Sequence, residues 1–348
     1  MIVQVIMHRL LRDVQSSIHN SIYVEPGDTT VAELLDRYLE DYASLSMGEK
    51  HRHRVKGLID KHISPSLGSI SLRRLLPADI QRLYARKLQQ GRLDGSGGLS
   101  AQTVLHMHHI LHKACDLAVR WQMMVRNPVG AVTAPRVERK EIRVLSVEEI
   151  GRLLAAAKGT QFLVPIVLAA TTAMRRGEIC GLKWSDINPD TGVLSLRRSL
   201  GQVGKRIFCK EPKTAGSRRS ILLPNLAIDV LKRHRLEQAG TRQLLGEAYA
   251  NEDWVCSHAD GRPLMPDSIS NNFRKILKKA GIPHTRFHVL RHSCATLLIG
   301  NGIPVKMVSE ILGHSSVYTT QDVYAHVLPH MQEQAAGTID RLLSREQR

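Results

Sequence analysis

The chain has 348 residues, 43% of them hydrophobic, enough apolar material for packed cores and about two domains of ordinary size. Lysine and arginine number 49 against 32 aspartate and glutamate, a formal net charge of +17, so a polyanion is the expected partner and nucleic acid the first expectation. Composition excludes several classes: no run of 18 apolar residues offers a membrane span, the five scattered cysteines form no CxxC pair, and 4% aromatic content argues against a base-stacking platform for single strands.

Residues 1–28 begin with an apolar stretch that meets His8, Arg9 and Arg12 too soon for a signal peptide, and with unpaired cysteines this reads as a cytoplasmic protein. Ile2–Ile6 suggests a short strand and Pro26-Gly27-Asp28 a turn. Thr29 or Thr30 can cap a helix to about Tyr42, and a second helix spans about Gly48 to His62 before Pro65–Gly68 breaks the chain. Pro77 opens a third helix to about Gln90, Gly91–Gly98 is a connector, and Ser100 caps a fourth helix to about Trp121. Residues 29–130 therefore read as a four-helix unit, and the Pro-containing, charged residues 131–145 as a linker.

Ser146 and Glu149 form a capping box that opens the second domain, 146–332. Residues 161–182 read as helical, interrupted by Arg175-Arg176-Gly177-Glu178. From Gly192 to Leu223 the pattern turns to short strands, with turns at Gly201–Gly204 and Ala215-Gly216; helices resume near Leu226. The fold class is mainly α with a small antiparallel sheet, an α+β arrangement. Pro304 and Gly313 bracket a helix, and Thr319 or Thr320 can cap the next.

Four segments of this domain set polar residues in apolar surroundings: Thr171 to Ile179 around Arg175, Pro212-Lys213-Thr214, His288-Val289-Leu290-Arg291-His292, and Leu312-Gly313-His314 followed by Tyr324. Each alone is ordinary. An arginine is usually a surface ion pair, a histidine a satisfied structural residue, a C-terminal tyrosine part of the core. Their order is specific. With Thr320-x-x-x-Tyr324-Ala325-His326-Val327, the set resembles the tyrosine recombinases, the phage integrase family, over residues 29–332.

The resemblance implies a helical core-binding domain, a catalytic domain, and cleavage and rejoining of duplex DNA through a 3′-phosphotyrosine. Arg175 and Arg291 would hold phosphate oxygens bidentately, and His314 would add a hydrogen bond. Tyr324 would be the nucleophile, Lys213 the acid for the leaving 5′ oxygen, and His288 the acceptor of the tyrosine proton. No metal or cofactor is implied, because one phosphodiester is exchanged for another. Expected partners are duplex DNA, a homotetramer on paired sites and an accessory directionality protein, with no membrane. Residues 1–28 are short for the arm-binding domain of many integrases. Residues 333–348 either close their own domain or dock on a neighbour.

Two positions depart from the family pattern. Val289 stands where aspartate is usual, and Ala173 where glycine is usual. If position 173 needs a positive φ, alanine costs roughly 1 kcal/mol there. Tyr318 competes with Tyr324 as nucleophile, and Arg176 with Arg175 as clamp. Glu178 reads as support for Arg175. His108 and His112, four apart, could face a metal, but no third ligand is in view and a polar or phosphate-facing surface explains them better. Other readings of the chain are a non-catalytic DNA-binding protein on this fold, a chromosome-dimer resolvase and a relaxing topoisomerase. An integrase of a mobile element is preferred.

Overall fold

The computed structural model describes residues 28–138, 143–210, 219–314 and 316–324, with 336, 337 and 340; at 322–324 it describes the backbone alone. The expected strand at Ile2–Ile6, the Ala215-Gly216 turn and nearly all of the 333–348 tail lie outside these residues. The chain divides into two compact units between residues 140 and 141.

The first unit is helical. Thr30 starts α1 (Val31–Arg37): its hydroxyl accepts the Glu33 N–H at 3.3 Å and the Glu33 carboxylate accepts the Thr30 N–H at 2.8 Å. The helix runs on through wider π-type turns, Tyr38–Ala43, to Ser44–Ser46. α2 (Glu49–Leu58) continues in the same way through Ile59–Ile63 to Ser64–Leu67. Pro65 therefore does not break the chain as expected. It sits at the start of that last stretch, where its missing N–H matters least, and the helix ends only at Gly68. α3 (Pro77–Gln89) opens on proline, and α4 (Ala101–Arg120) on Ser100, whose hydroxyl accepts the Thr103 N–H at 3.2 Å. Leu34, Leu35, Ile59, Ile63, Ile80, Met107 and Leu111 make the core. On α4, His108 meets the Tyr84 hydroxyl at 3.3 Å and His112 meets Asp116 at 3.1 Å.

The second unit mixes helices with short strands. Ser146 and Glu149 close the capping box of α5 (Val147–Ala157). α6 (Leu163–Thr172) is buried on nearly every side, as its continuous apolar sequence requires. The interruption falls earlier than expected, at Ala173–Arg175, and Arg176-Gly177-Glu178 lies inside the next helix, α7 (Arg176–Cys180). The reason is conformational: Ala173 has φ +53, so the chain leaves α6 through a left-handed residue.

β1 (Val193–Ser195) pairs antiparallel with β4 (Ser220–Leu222), and β2 (Ser199–Val203) with β3 (Arg206–Lys210), so the strands form two separate ribbons. The β2–β3 turn is at Gly204, which has φ +57. Gly201 is inside β2, where a side chain would strike the Phe208 ring at 2.4 Å. The long helix α8 (Asn225–Leu245), then α9 (Pro266–Lys279), α10 (Val289–Gly300), α11 (Val305–Leu312) and α12 (Val317–Tyr324) complete the unit. Neither Thr319 nor Thr320 caps α12. The chain enters it at Ser316, whose hydroxyl accepts the Tyr318 N–H at 3.3 Å. Leu168, Ile179, Leu194, Val255, Phe273 and Leu290 are among the main core residues, and each such burial contributes about 1.5–3 kcal/mol over exposure. A smaller cluster of Ala173, Ala295, Ile299, Val308 and Leu312 packs α10 and α11 under the site described next.

Candidate active site

The site is built at the C-terminal end of α11. The last carbonyls of a helix have no partner within it and carry partial negative charge. Here three guanidiniums from three separate segments satisfy them. Arg219 Nε donates to Ile311 O at 2.7 Å, Arg291 Nη2 to Leu312 O at 2.7 Å, and Arg175 Nη2 to Gly313 O at 2.9 Å. Arg291 is only 2% exposed, and its Nη1 also donates to Ala173 O at 2.7 Å. The positive φ weighed for Ala173 is thus present, and the turn it makes supplies one of the carbonyls that hold Arg291.

A buried carboxylate ties the cluster together. Glu178 Oε1 accepts from Arg175 Nη1 at 2.9 Å and Arg219 Nη1 at 3.2 Å; Oε2 accepts from Arg219 Nη2 at 3.0 Å and the Arg175 N–H at 2.8 Å. Burial pushes the Glu178 pKa up, but the Arg219 bonds and charge, with Arg175, outweigh it and hold the carboxyl below its usual range. Glu178 supports Arg175, as the sequence suggested. Arg176 takes no part: it reaches Asp267 at 3.5 Å and the Ser270 hydroxyl on α9.

Three imidazoles stand beside the guanidiniums. Gly313 has φ +62 and turns the chain so that the His314 N–H donates to Ser309 O at 3.1 Å. The His314 Nδ1 lies 2.9 Å from the hydroxyl of the fully buried Thr320 on α12. Its pKa is lowered to about 4, first by burial and then by the charges of Arg291 and Arg175. His288 precedes α10 at the solvent edge, its ring centroid 5.0 Å from that of His292. Burial by the surrounding protein, then Arg291, lowers the His288 pKa to about 4, with Glu178 opposing. Both rings are neutral near pH 7, so each carries a proton on one nitrogen and a lone pair on the other.

Comparison with known proteins decides the kinship. Residues 143–331 match the phage integrase family and residues 30–88 the N-terminal SAM-like domain of phage integrases. The chain belongs to the phage integrase family. It is a tyrosine-type site-specific recombinase. It is 29% identical to a XerC-like tyrosine recombinase of Caldanaerobacter subterraneus, over 94% of this chain and 87% of that one. It is 28% identical to the ICEBs1 integrase of Bacillus subtilis, over 83% of this chain and 77% of that one. Among solved structures, the Tn1549 transposon integrase in complex with transposon right end DNA superposes with a TM-score of 0.72 at 20% identity, covering 90% of this chain and 99% of that one. A lambda integrase dimer bound to a core site superposes at 0.65 with 21% identity, covering 89% and 80%.

Of the six site residues expected in this recombinase, Arg175, Arg291, His288 and His314 come together in the second unit. The Tyr324 backbone lies on α12, and its side chain lies outside the described residues, as does the whole of Lys213. Tyr318, the rival nucleophile, is 81% exposed at the start of α12. Val289 is packed in the apolar core, which explains a hydrophobic residue at a position where aspartate is usual. Arg219 was not singled out from the sequence, and Thr320 was read there as a possible cap and as the first residue of the Thr320-x-x-x-Tyr324 motif, without a part in the site.

Proposed function

We propose that this recombinase is the integrase of a mobile element and that it exchanges DNA strands through a 3′-phosphotyrosine at Tyr324. The observation that carries the reading is the preassembled cluster of Arg175, Arg291 and His314 at the end of α11. Two permanent cations held by backbone carbonyls can grip the scissile phosphate, where charge develops in the transition state. The Tyr324 oxygen attacks phosphorus and the 5′ oxygen leaves. Neutral His288 accepts the phenolic proton, and Lys213 protonates the leaving oxygen. The reverse step, with a 5′ hydroxyl from the partner strand, restores a phosphodiester. Energy of the broken bond is kept in the phosphotyrosine, so the exchange needs no metal or cofactor.

In this reading residues 29–130 grip duplex DNA, 131–145 link the domains, 146–332 catalyse, and 333–348 pack on the same or a neighbouring protomer. Four copies act on paired sites, as in the lambda integrase tetramer bound to a Holliday junction, and an accessory directionality protein biases the outcome. The enzyme works in the cytoplasm; among the described residues no helix is long and apolar enough to cross a membrane.

The test is covalent trapping on nicked duplexes that carry the sequences flanking this gene. The unmodified chain and Tyr318→Phe form a protein–DNA adduct, and Tyr324→Phe forms none. Duplex binding without any adduct, beside an active control recombinase on its own site, would return weight to a non-catalytic DNA-binding protein.

A further inference from the structure

Thr320 is an unusual place to find a polar atom. The residue is fully buried on the first turns of α12, four residues before Tyr324, and its Oγ1 has one hydrogen-bond partner among the described residues, the His314 Nδ1 at 2.9 Å. A buried hydroxyl without an acceptor for its proton is costly, so the Thr320 O–H donates and Nδ1 accepts. That choice leaves the single proton of a neutral imidazole on Nε2. The backbone around His314 is fixed independently, by Gly313 in the left-handed region and by the His314 N–H to Ser309 O at 3.1 Å.

Resting on the integrase reading above, we propose that Thr320 is a positioning residue that locks His314 in the Nε2–H form, so that the ring enters the phosphate clamp as a ready hydrogen-bond donor. The same bond couples the helix that carries Tyr324 to the clamp. The His314 ring is in its donor form only while α12 is seated, so clamp and nucleophile helix assemble together. The neutral state of His314 at pH 7 agrees with this, since a doubly protonated ring could not accept from Thr320.

The experiment uses the full chain labelled with ¹⁵N-histidine, the His314 signals being assigned by their loss in His314→Gln. Two-bond ¹H–¹⁵N correlation at neutral pH reads the tautomer directly. The unmodified chain and Thr320→Ser show Nε2–H, whereas Thr320→Val, of similar shape, shows a mixture or Nδ1–H. In single-turnover cleavage of the nicked duplex, Thr320→Val is slower by about tenfold, the scale of one lost hydrogen bond, with unchanged duplex affinity, and Thr320→Ser restores the rate. An unchanged Nε2–H form in Thr320→Val overturns the proposal. So does equal slowing in Thr320→Val and Thr320→Ser, which would mark a packing role alone. A tautomer shift in a protein whose unmodified form never cleaves DNA would keep the Thr320 assignment and sink the integrase reading instead.

Discussion

Glu178 is the residue on which the guanidinium cluster depends, since among the described residues it alone offers a charged partner to both Arg175 and Arg219. Removing one member of a buried ion pair strands the other, at a cost of about 3–5 kcal/mol. Glu178→Ala is expected to lower stability by that amount in urea unfolding and to abolish adduct formation, with duplex binding retained below the unfolding midpoint. The histidines set a pH dependence whose sign follows from their lowered pKa values. His314 and His288 titrate near 4 when folded and near 6.5 when unfolded, so the unfolded chain takes protons first as pH falls. Their contribution to stability is complete above about 6.5 and is lost between about 6.5 and 4. His288 is open to solvent, so His314 carries the larger share. Urea midpoints measured across that range are expected to fall less steeply for His314→Gln than for the unmodified chain. At this scale the residues proposed to react stood out in the sequence because each is a polar residue in apolar text. Arg219 and Thr320 did not, because their meaning lies in remote partners: Arg219 meets Glu178 across 41 positions.

Capping at the element scale was readable, because its residues are close in sequence. Ser146 and Glu149 are three apart and bond each other's N–H groups at 3.2 and 3.1 Å. Ser146→Ala is expected to cost about 1 kcal/mol, within the range of measured helix caps, with cleavage chemistry unchanged. Thermal unfolding checks this directly. Three breaks were misplaced for one physical reason: turn-prone residues mark a turn only when the backbone agrees. Pro65 sits at a helical start, where proline is tolerated. Gly201 is in a strand because the Phe208 ring fills the space of a side chain. The true break before α7 is at Ala173, the residue type most favourable to a helix, held left-handed while the glycine four positions on is helical. The family comparison of positions had pointed there; propensity had not.

At the scale of the whole molecule, the division into a helical first unit and a mixed second unit followed from the Pro-containing, charged residues 131–145, the capping box at Ser146 and the turn to short strands from Gly192. The net charge of +17 supplied the polyanion before any motif was read. What pattern could not supply was the way the site closes: Arg175, Arg219, Arg291 and His314 come from four segments, and the end of α11 gathers them. In the proposed reaction this assembly serves one nucleophile, Tyr324. That assignment is tested most directly by digesting the trapped protein–DNA adduct and identifying the nucleotide-bearing peptide by mass spectrometry. A 3′-phosphonucleotide on Tyr324 is expected, in the unmodified chain and in Tyr318→Phe alike. A nucleotide on Tyr318, or on any residue other than Tyr324, would contradict it.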